Sequence, residues 1–184
     1  MEVHRLSGLD LRLTRDHWTF AAEHRAKIAE HWKGLVAERP HLWNGEVLIC
    51  LRNAVGDGVL RAELAKTDYA SFVAWRDWDA PDASVRNCFG SPVVLTSDRA
   101  IMFGEMAAST LNGGKIYPPG GSLEPRDIMA DGTVDVLGSI ATELREETGL
   151  NAAEARGGAM VAIREGHRIA VCQALTFDLT VAEI

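Results

Sequence analysis

Cysteine is scarce and poorly spaced for a disulfide framework or a zinc finger: Cys50, Cys88 and Cys172 are odd in number and form no CxxC pair. Buried thiols in a reducing compartment are the expectation, which places the chain in the cytoplasm. Long apolar runs are missing too. No stretch approaches the roughly 18 residues that cross a bilayer. Met1-Glu-Val-His-Arg-Leu-Ser7 has no apolar signal core, so no membrane partner is expected. Positive charge is in short supply: 19 Lys and Arg face 26 Asp and Glu, a net charge of −7. A general nucleic-acid binder carries a basic face, so nucleic acid is not expected as a partner. A small phosphorylated ligand remains open, because a bound cation inverts the local sign of a site. Internal repeats and low-complexity tracts are absent.

What is present fits one full domain and a smaller one. The chain has 184 residues, 47% of them hydrophobic. Glu2 to Leu13 alternates weakly around Ser7-Gly8 and predicts a short hairpin. Thr14 to Glu38 predicts a helix, capped by Thr14 or Asp16 and stopped before Pro40, with Trp18, Ala21, Ala22, Ile28, Trp32, Leu35 and Val36 facing inward. His17, His24 and His31 recur every seven residues. Positions seven apart lie about two turns, or roughly 10 Å, from one another, so one metal cannot join them and they read as a half-exposed face. Glu46 to Asn53 and Val59 to Lys66 predict a hairpin through Gly56-Asp-Gly58. Asp68 caps a short helix from Tyr69 to Trp78, and Asp79-Ala-Pro81-Asp-Ala marks a boundary region. Residues 1–88 thus predict a small α+β unit in front of a second domain, 89–184.

In that second domain, Pro92 to Thr96 and Ala100 to Glu105 predict strands around Ser97-Asp98, followed by a loop from Ala107 to Lys115. Pro118-Pro119-Gly120-Gly121 comes next. Its glycines suit a close backbone approach, either to a ligand or within a tight turn. Val136 to Thr148 then predicts a helix with Asp135 as N-cap, an apolar stripe of Val136, Leu137, Ile140, Ala141 and Leu144, and Gly149 as the stop. Glu143, Glu146 and Glu147 fall within roughly a 100° arc of another face. Like charges at this spacing cost a few tenths of a kcal/mol per pair, and the helix dipole adds to the cost in the last turn. A hard divalent cation held by carboxylate oxygens explains the grouping economically; an acidic solvated helix end is the alternative.

Gly121…Asp127…Glu143-Leu-Arg-Glu146-Glu147-Thr-Gly149-Leu150, with its Pro-Pro-Gly-Gly approach, resembles the Nudix box, G-x5-E-x7-R-E-U-x-E-E-x-G-U, where U is bulky and apolar. The resemblance implies an α/β (α+β) fold, a Nudix-type α/β/α sandwich with a mixed sheet. It also implies a hydrolase that uses Mg²⁺ or Mn²⁺ to cleave a nucleoside diphosphate linked to another moiety. Glu143, Glu146 and Glu147 are then the catalytic metal ligands, with a carbonyl of Gly121 or Gly120 adding to them. Gly120, Arg99, Lys115 and Tyr117 are candidate substrate contacts, as are Arg86 and Asn87. Short strings, including Trp43-Asn44-Gly45 and Gly-Gly-Ser-Leu-Glu-Pro125, are similar to the UDP-sugar branch, and ADP-ribose or another dinucleotide-like substrate remains open. A homodimer is compatible with the family.

Three departures accompany this resemblance. The seven-residue spacer is 14 residues here, Ile128 to Ala141, if Asp127 takes the first acidic position; an ungapped match puts Val134 there. That acidic residue is Asp rather than Glu. Thr142 stands where the box has Arg, which in the family is implied to orient the carboxylates, so Arg145 or a residue elsewhere would have to serve. The general base is left open between the helix glutamates and Glu165. A catalytically degenerate nucleotide-binding module is the alternative reading. After the box, Gly158 to Arg164 and His167 to Leu179 predict strands, and Thr180 to Ile184 reads as the opening of a helix, where the resemblance implies a further C-terminal helix.

Overall fold

The first two strands of the chain part company. In the computed structural model, which describes residues 1–107, 110 and 112–184, β1 (Glu2–Leu6) pairs antiparallel with β9 (Arg156–Glu165), whereas β2 (Gly8–Leu13) pairs parallel with β4 (Val59–Asp68). The hairpin expected from Glu2 to Leu13 is therefore not formed. The amides of Ser7 and Gly8 both donate to the Gly58 carbonyl, so the turn residues are spent on a neighbouring loop. Each strand then completes the edge of a different sheet, which suits a pair too short to hold together alone.

The single helix expected from Thr14 to Glu38 is also corrected. It starts at α1 (Thr19–Glu23), breaks at His24 (φ −108°, ψ 13°) and resumes as α2 (Arg25–Glu38). Thr14 and Asp16 do not cap it. Thr14 Oγ1 accepts from the Asp16 amide, and Asp16 pairs with Arg52. At the break, His24 Nδ1 lies 3.1 Å from the Phe20 carbonyl and its ring stacks on Phe20. Trp18, Ala21 and Ile28 are buried as expected, but Ala22 is exposed.

Local signals hold better further on. β3 (Glu46–Gly56) and β4 form the expected antiparallel hairpin, with Asp57 (φ 53°) and Gly58 (φ 74°) in its turn. Two consecutive left-handed residues match the twist of the strands they join. Asp68 caps α3 (Tyr69–Asp77) by accepting from the Ser71 amide at 2.7 Å. Val47, Leu48, Ile49 and Cys50 are all buried, so β3 is covered on both faces. Val47 and Ile49 join Trp18, Phe20, Ile28, Phe72 and Trp75 under the helices. Leu48 and Cys50 face the larger core, which draws on both the 1–88 and 89–184 stretches.

That larger core lies against a five-stranded mixed sheet of order β1-β9-β10-β5-β8, where β5 is Asn87–Leu95, β8 is Gly121–Ser122 and β10 is Arg168–Thr176. β10 runs parallel to β5 and antiparallel to β9. A two-stranded ribbon, β6 (Gly104–Glu105) with β7 (Ile116–Tyr117), stands where one longer strand was expected after Ala100. The predicted loop from Ala107 to Lys115 contains residues 108, 109 and 111, which lie outside the described residues. α4 (Val136–Thr148) packs on β5. A Cβ on Gly90 would come within 2.6 Å of Ile140 Cγ1, so glycine lets helix and strand approach closely. Thr180 to Glu183 forms a turn closed by Thr180 donating to the Glu183 carboxylate at 2.8 Å.

The chain is thus α+β with mixed sheets. Among the described residues, no helix is long and apolar enough to cross a membrane. The three cysteines are free and buried, and burial pushes the Cys50 thiol up to about 11.

Candidate functional site

α4 owes its position to its two ends and one face. Asp135 accepts from the Gly138 amide at 2.9 Å, and Gly149 ends the helix with φ 79°. Val136, Ser139, Ile140 and Leu144 are buried on one side. Nearer its C-terminal end, Glu143 and Glu147 continue that face and meet the Pro118–Gly121 turn, with Glu146 at its edge. Ser91 Oγ donates to the Pro119 carbonyl at 2.8 Å and fixes that turn on β5. The Gly120 amide donates to Glu147 Oε2 at 3.0 Å. Gly121 lies against Glu143 so closely that a Cβ there would overlap the carboxylate. The glycine pair and the glutamates are therefore one assembly, and the glycines are required by space: neither has a positive φ.

A third element completes it. Pro125–Asp127 forms a 3-10 turn, and Arg126 in it reaches three carboxylates: Nη2 to Glu143 Oε1 at 3.0 Å, Nη1 to Glu146 Oε1 at 3.2 Å, and Nε to Glu124 Oε2 at 3.3 Å. Glu143 keeps only 13% of its side-chain exposure. Burial pushes its carboxyl up to about 7; Arg126 pulls it back, while Glu147, Glu146 and Glu124 push it further up. Burial would lower Arg126, but Glu124, Glu146 and Glu143 together hold it above its usual range.

The other candidates scatter. Asp127, placed at the first acidic position, is turned inward: Oδ2 accepts from the Glu124 amide at 2.8 Å, its carboxyl is buried, and burial raises its pKa. It caps a turn and does not join the glutamates. Val134 is buried in the core, its amide bonded to the Leu11 carbonyl. Tyr117 comes close enough to Glu147 for that charge to raise its hydroxyl, after burial and against a hydrogen bond from Asn112. Lys115 Nζ donates to Asn112 Oδ1 at 3.2 Å. Arg99 sits in the turn after Thr96 with φ 69°, its amide on the Thr96 carbonyl at 3.1 Å. Arg86 is committed to the carbonyls of Ala83 and Val85, the Asn87 amide donates to the His167 carbonyl, and Glu165 pairs with Arg168 at 3.6 Å.

Arg126 was not singled out by sequence. Box spacing draws the eye to α4, and the carboxylates' partner arrives from a separate turn. The usable signal was a lone cation in Leu-Glu-Pro-Arg-Asp, directly after the glycines. The expected substitute Arg145 is exposed and makes no ion pair among the described residues.

The insertion has a place as well. Met129 to Thr133 closes a turn with Gly132 at φ 83°, and the Leu13 amide donates to the Gly132 carbonyl at 2.9 Å. Arg12 and Thr133 form a β-bridge. The added residues lie along β2, so they tie the start of α4 to the N-terminal sheet.

Two recesses, of about 500 Å³ around Arg12, Arg52 and Arg61 and about 340 Å³ around Trp18 and Asp82, border the N-terminal sheet and not the glutamates. On the glutamate face, Glu146 and Glu147 are exposed and Glu143 is largely covered. By donor chemistry the set fits a hard cation: every side-chain donor is a carboxylate oxygen, and one is held largely out of water. As placed, no three acidic, His or Cys side chains among the described residues converge on a point, since Glu147 turns to Gly120 and Arg126 stands between Glu143 and Glu146. No protein-family model matches this chain, and no curated protein matches it.

Proposed function

We propose that this chain is a Nudix-type hydrolase that uses Mg²⁺ or Mn²⁺ to cleave the diphosphate linkage of a nucleoside diphosphate derivative, a UDP-sugar or an ADP-ribose-like compound. The observation that carries this reading is the seating of Glu143 and Glu147 on the Gly120–Gly121 turn. Two stretches more than 20 residues apart in the sequence, both singled out by the box, meet in one assembly. Glu143, Glu146, Glu147 and the Gly121 carbonyl would hold the cation, which when bound neutralises diphosphate oxygens and activates or orients water. Tyr117, on the strand leading into the glycine turn, and Lys115, just before that strand, offer a hydroxyl and a positive charge to the rest of the substrate.

A nucleotide-binding module without catalysis is the second reading. It is favoured by Arg126, a cation already set among the acidic groups, and by carboxylates that do not converge. Incubating the chain with UDP-glucose and with ADP-ribose, each with Mg²⁺ or Mn²⁺, separates the two. Turnover supports the hydrolase. Binding of either compound without turnover supports the module.

A further inference from the structure

We propose that Arg126 is the positioning residue of the glutamate cluster: its one guanidinium holds Glu143 and Glu146 in place from outside the helix. In the hydrolase reading, on which the functional part of this inference rests, it presets the carboxylates for the cation. Glu143 lies three and four residues from Glu146 and Glu147, in the last two turns of α4. Like charges at those spacings repel, and the helix dipole opposes them there. Left alone, the exposed Glu146 would swing to solvent and Glu143 would leave its half-buried seat against Gly121. Arg126 counters this with three separate nitrogens, each on a different carboxylate, at 3.0, 3.2 and 3.3 Å. The planar fork of guanidinium makes such contacts in fixed directions; an ammonium is a single point charge.

The backbone beneath it is unusually well fixed for a loop. Pro125 begins the 3-10 turn, and Glu124 and Asp127 cap each other reciprocally. The Asp135 amide donates to the Asp127 carbonyl, and the Leu48 amide donates to the Leu123 carbonyl, both at 2.8 Å. The turn carrying Arg126 is thus tied to the start of α4 on one side and to β3 on the other. Arg145, on α4 itself, is exposed and makes no ion pair with the glutamates.

The test compares the full-length wild-type chain with R126Q and R126K. Thermal melting checks that each is folded, metal-free crystal structures show the carboxylates, and electron paramagnetic resonance titration reads Mn²⁺ binding. Loss of a residue that orients metal ligands typically weakens binding about 10- to 100-fold. The expected result for R126Q is that Glu143 and Glu146 leave their wild-type positions and Mn²⁺ binds at least about tenfold more weakly. R126K should restore part of the affinity and release at least one of the three carboxylates. Carboxylates unmoved in R126Q, or Mn²⁺ bound as tightly as in wild type or more tightly, would overturn the proposal, since Arg126 would then be a bystander or a competitor of the metal. Should R126Q fail to fold, R126K decides: all three carboxylates held as in wild type would refute the fork. If wild type takes up no Mn²⁺ while the carboxylates of R126Q move, the positioning role stands and the hydrolase reading falls.

Discussion

Gly121 and Glu143 occupy adjoining space with no room for a methyl group between them: a Cβ at 121 would overlap the Glu143 carboxylate. Gly121→Ala therefore has to push the glutamate off the turn or the turn off β5. Because the atoms met are the end of a flexible side chain, the expected cost in stability is small, under about 1 kcal/mol, and the loss of diphosphate cleavage is the larger effect. Denaturant unfolding beside a phosphorus-31 assay checks both. A variant as stable and as active as wild type would mean that the contact is slack.

Glu143 also gives the metal-free protein a pH signature. Burial raises its carboxyl from about 4.5 to about 7, so the native state binds this proton more tightly than the unfolded chain does. Its contribution to stability is fully present below about 4.5 and is lost as pH rises to about 7. Burial lowers His167, which acts in the opposite sense within a neighbouring window, so the test is a difference. Melting temperatures of wild type minus Glu143→Gln, without metal, should fall across this range and level off above it. A flat difference would show that Glu143 is solvated.

The insertion between Asp127 and α4 should matter for stability through one glycine. Gly132 has φ 83°, and its carbonyl receives the Leu13 amide. Gly132→Ala should cost about 1–2 kcal/mol and speed hydrogen exchange at Leu13 and Val134 first. Uniform acceleration across the chain would contradict a local tie between the insertion and β2.

Local chemistry was legible in the sequence wherever a few adjacent residues decide the outcome. Asp135 and Gly149 bound α4, Asp57-Gly58 turns the β3–β4 hairpin, and Asp68 caps α3. Partners distant in the chain were not. Glu2 finds Arg164 across the sheet, an edge that no local pattern specifies. The break at His24 follows from His24 stacking on Phe20, which lies against Trp18 and Trp78. The glycine turn and the three glutamates could be picked out because their spacing is a pattern. Arg126 could not, because its role depends on where a separate turn points one side chain.

Glu147→Gln is the sharpest probe of the central claim. Glutamine retains an oxygen that can accept from the Gly120 amide, as Glu147 does at 3.0 Å, so the turn should survive while a negative ligand is lost. Phosphorus-31 spectra of UDP-glucose and ADP-ribose with Mg²⁺ should show wild type converting the diphosphate resonances of at least one of them to two monophosphates, and Glu147→Gln doing so more than about tenfold more slowly. Intact diphosphate with wild type, or equal rates for the two proteins, would contradict the assignment.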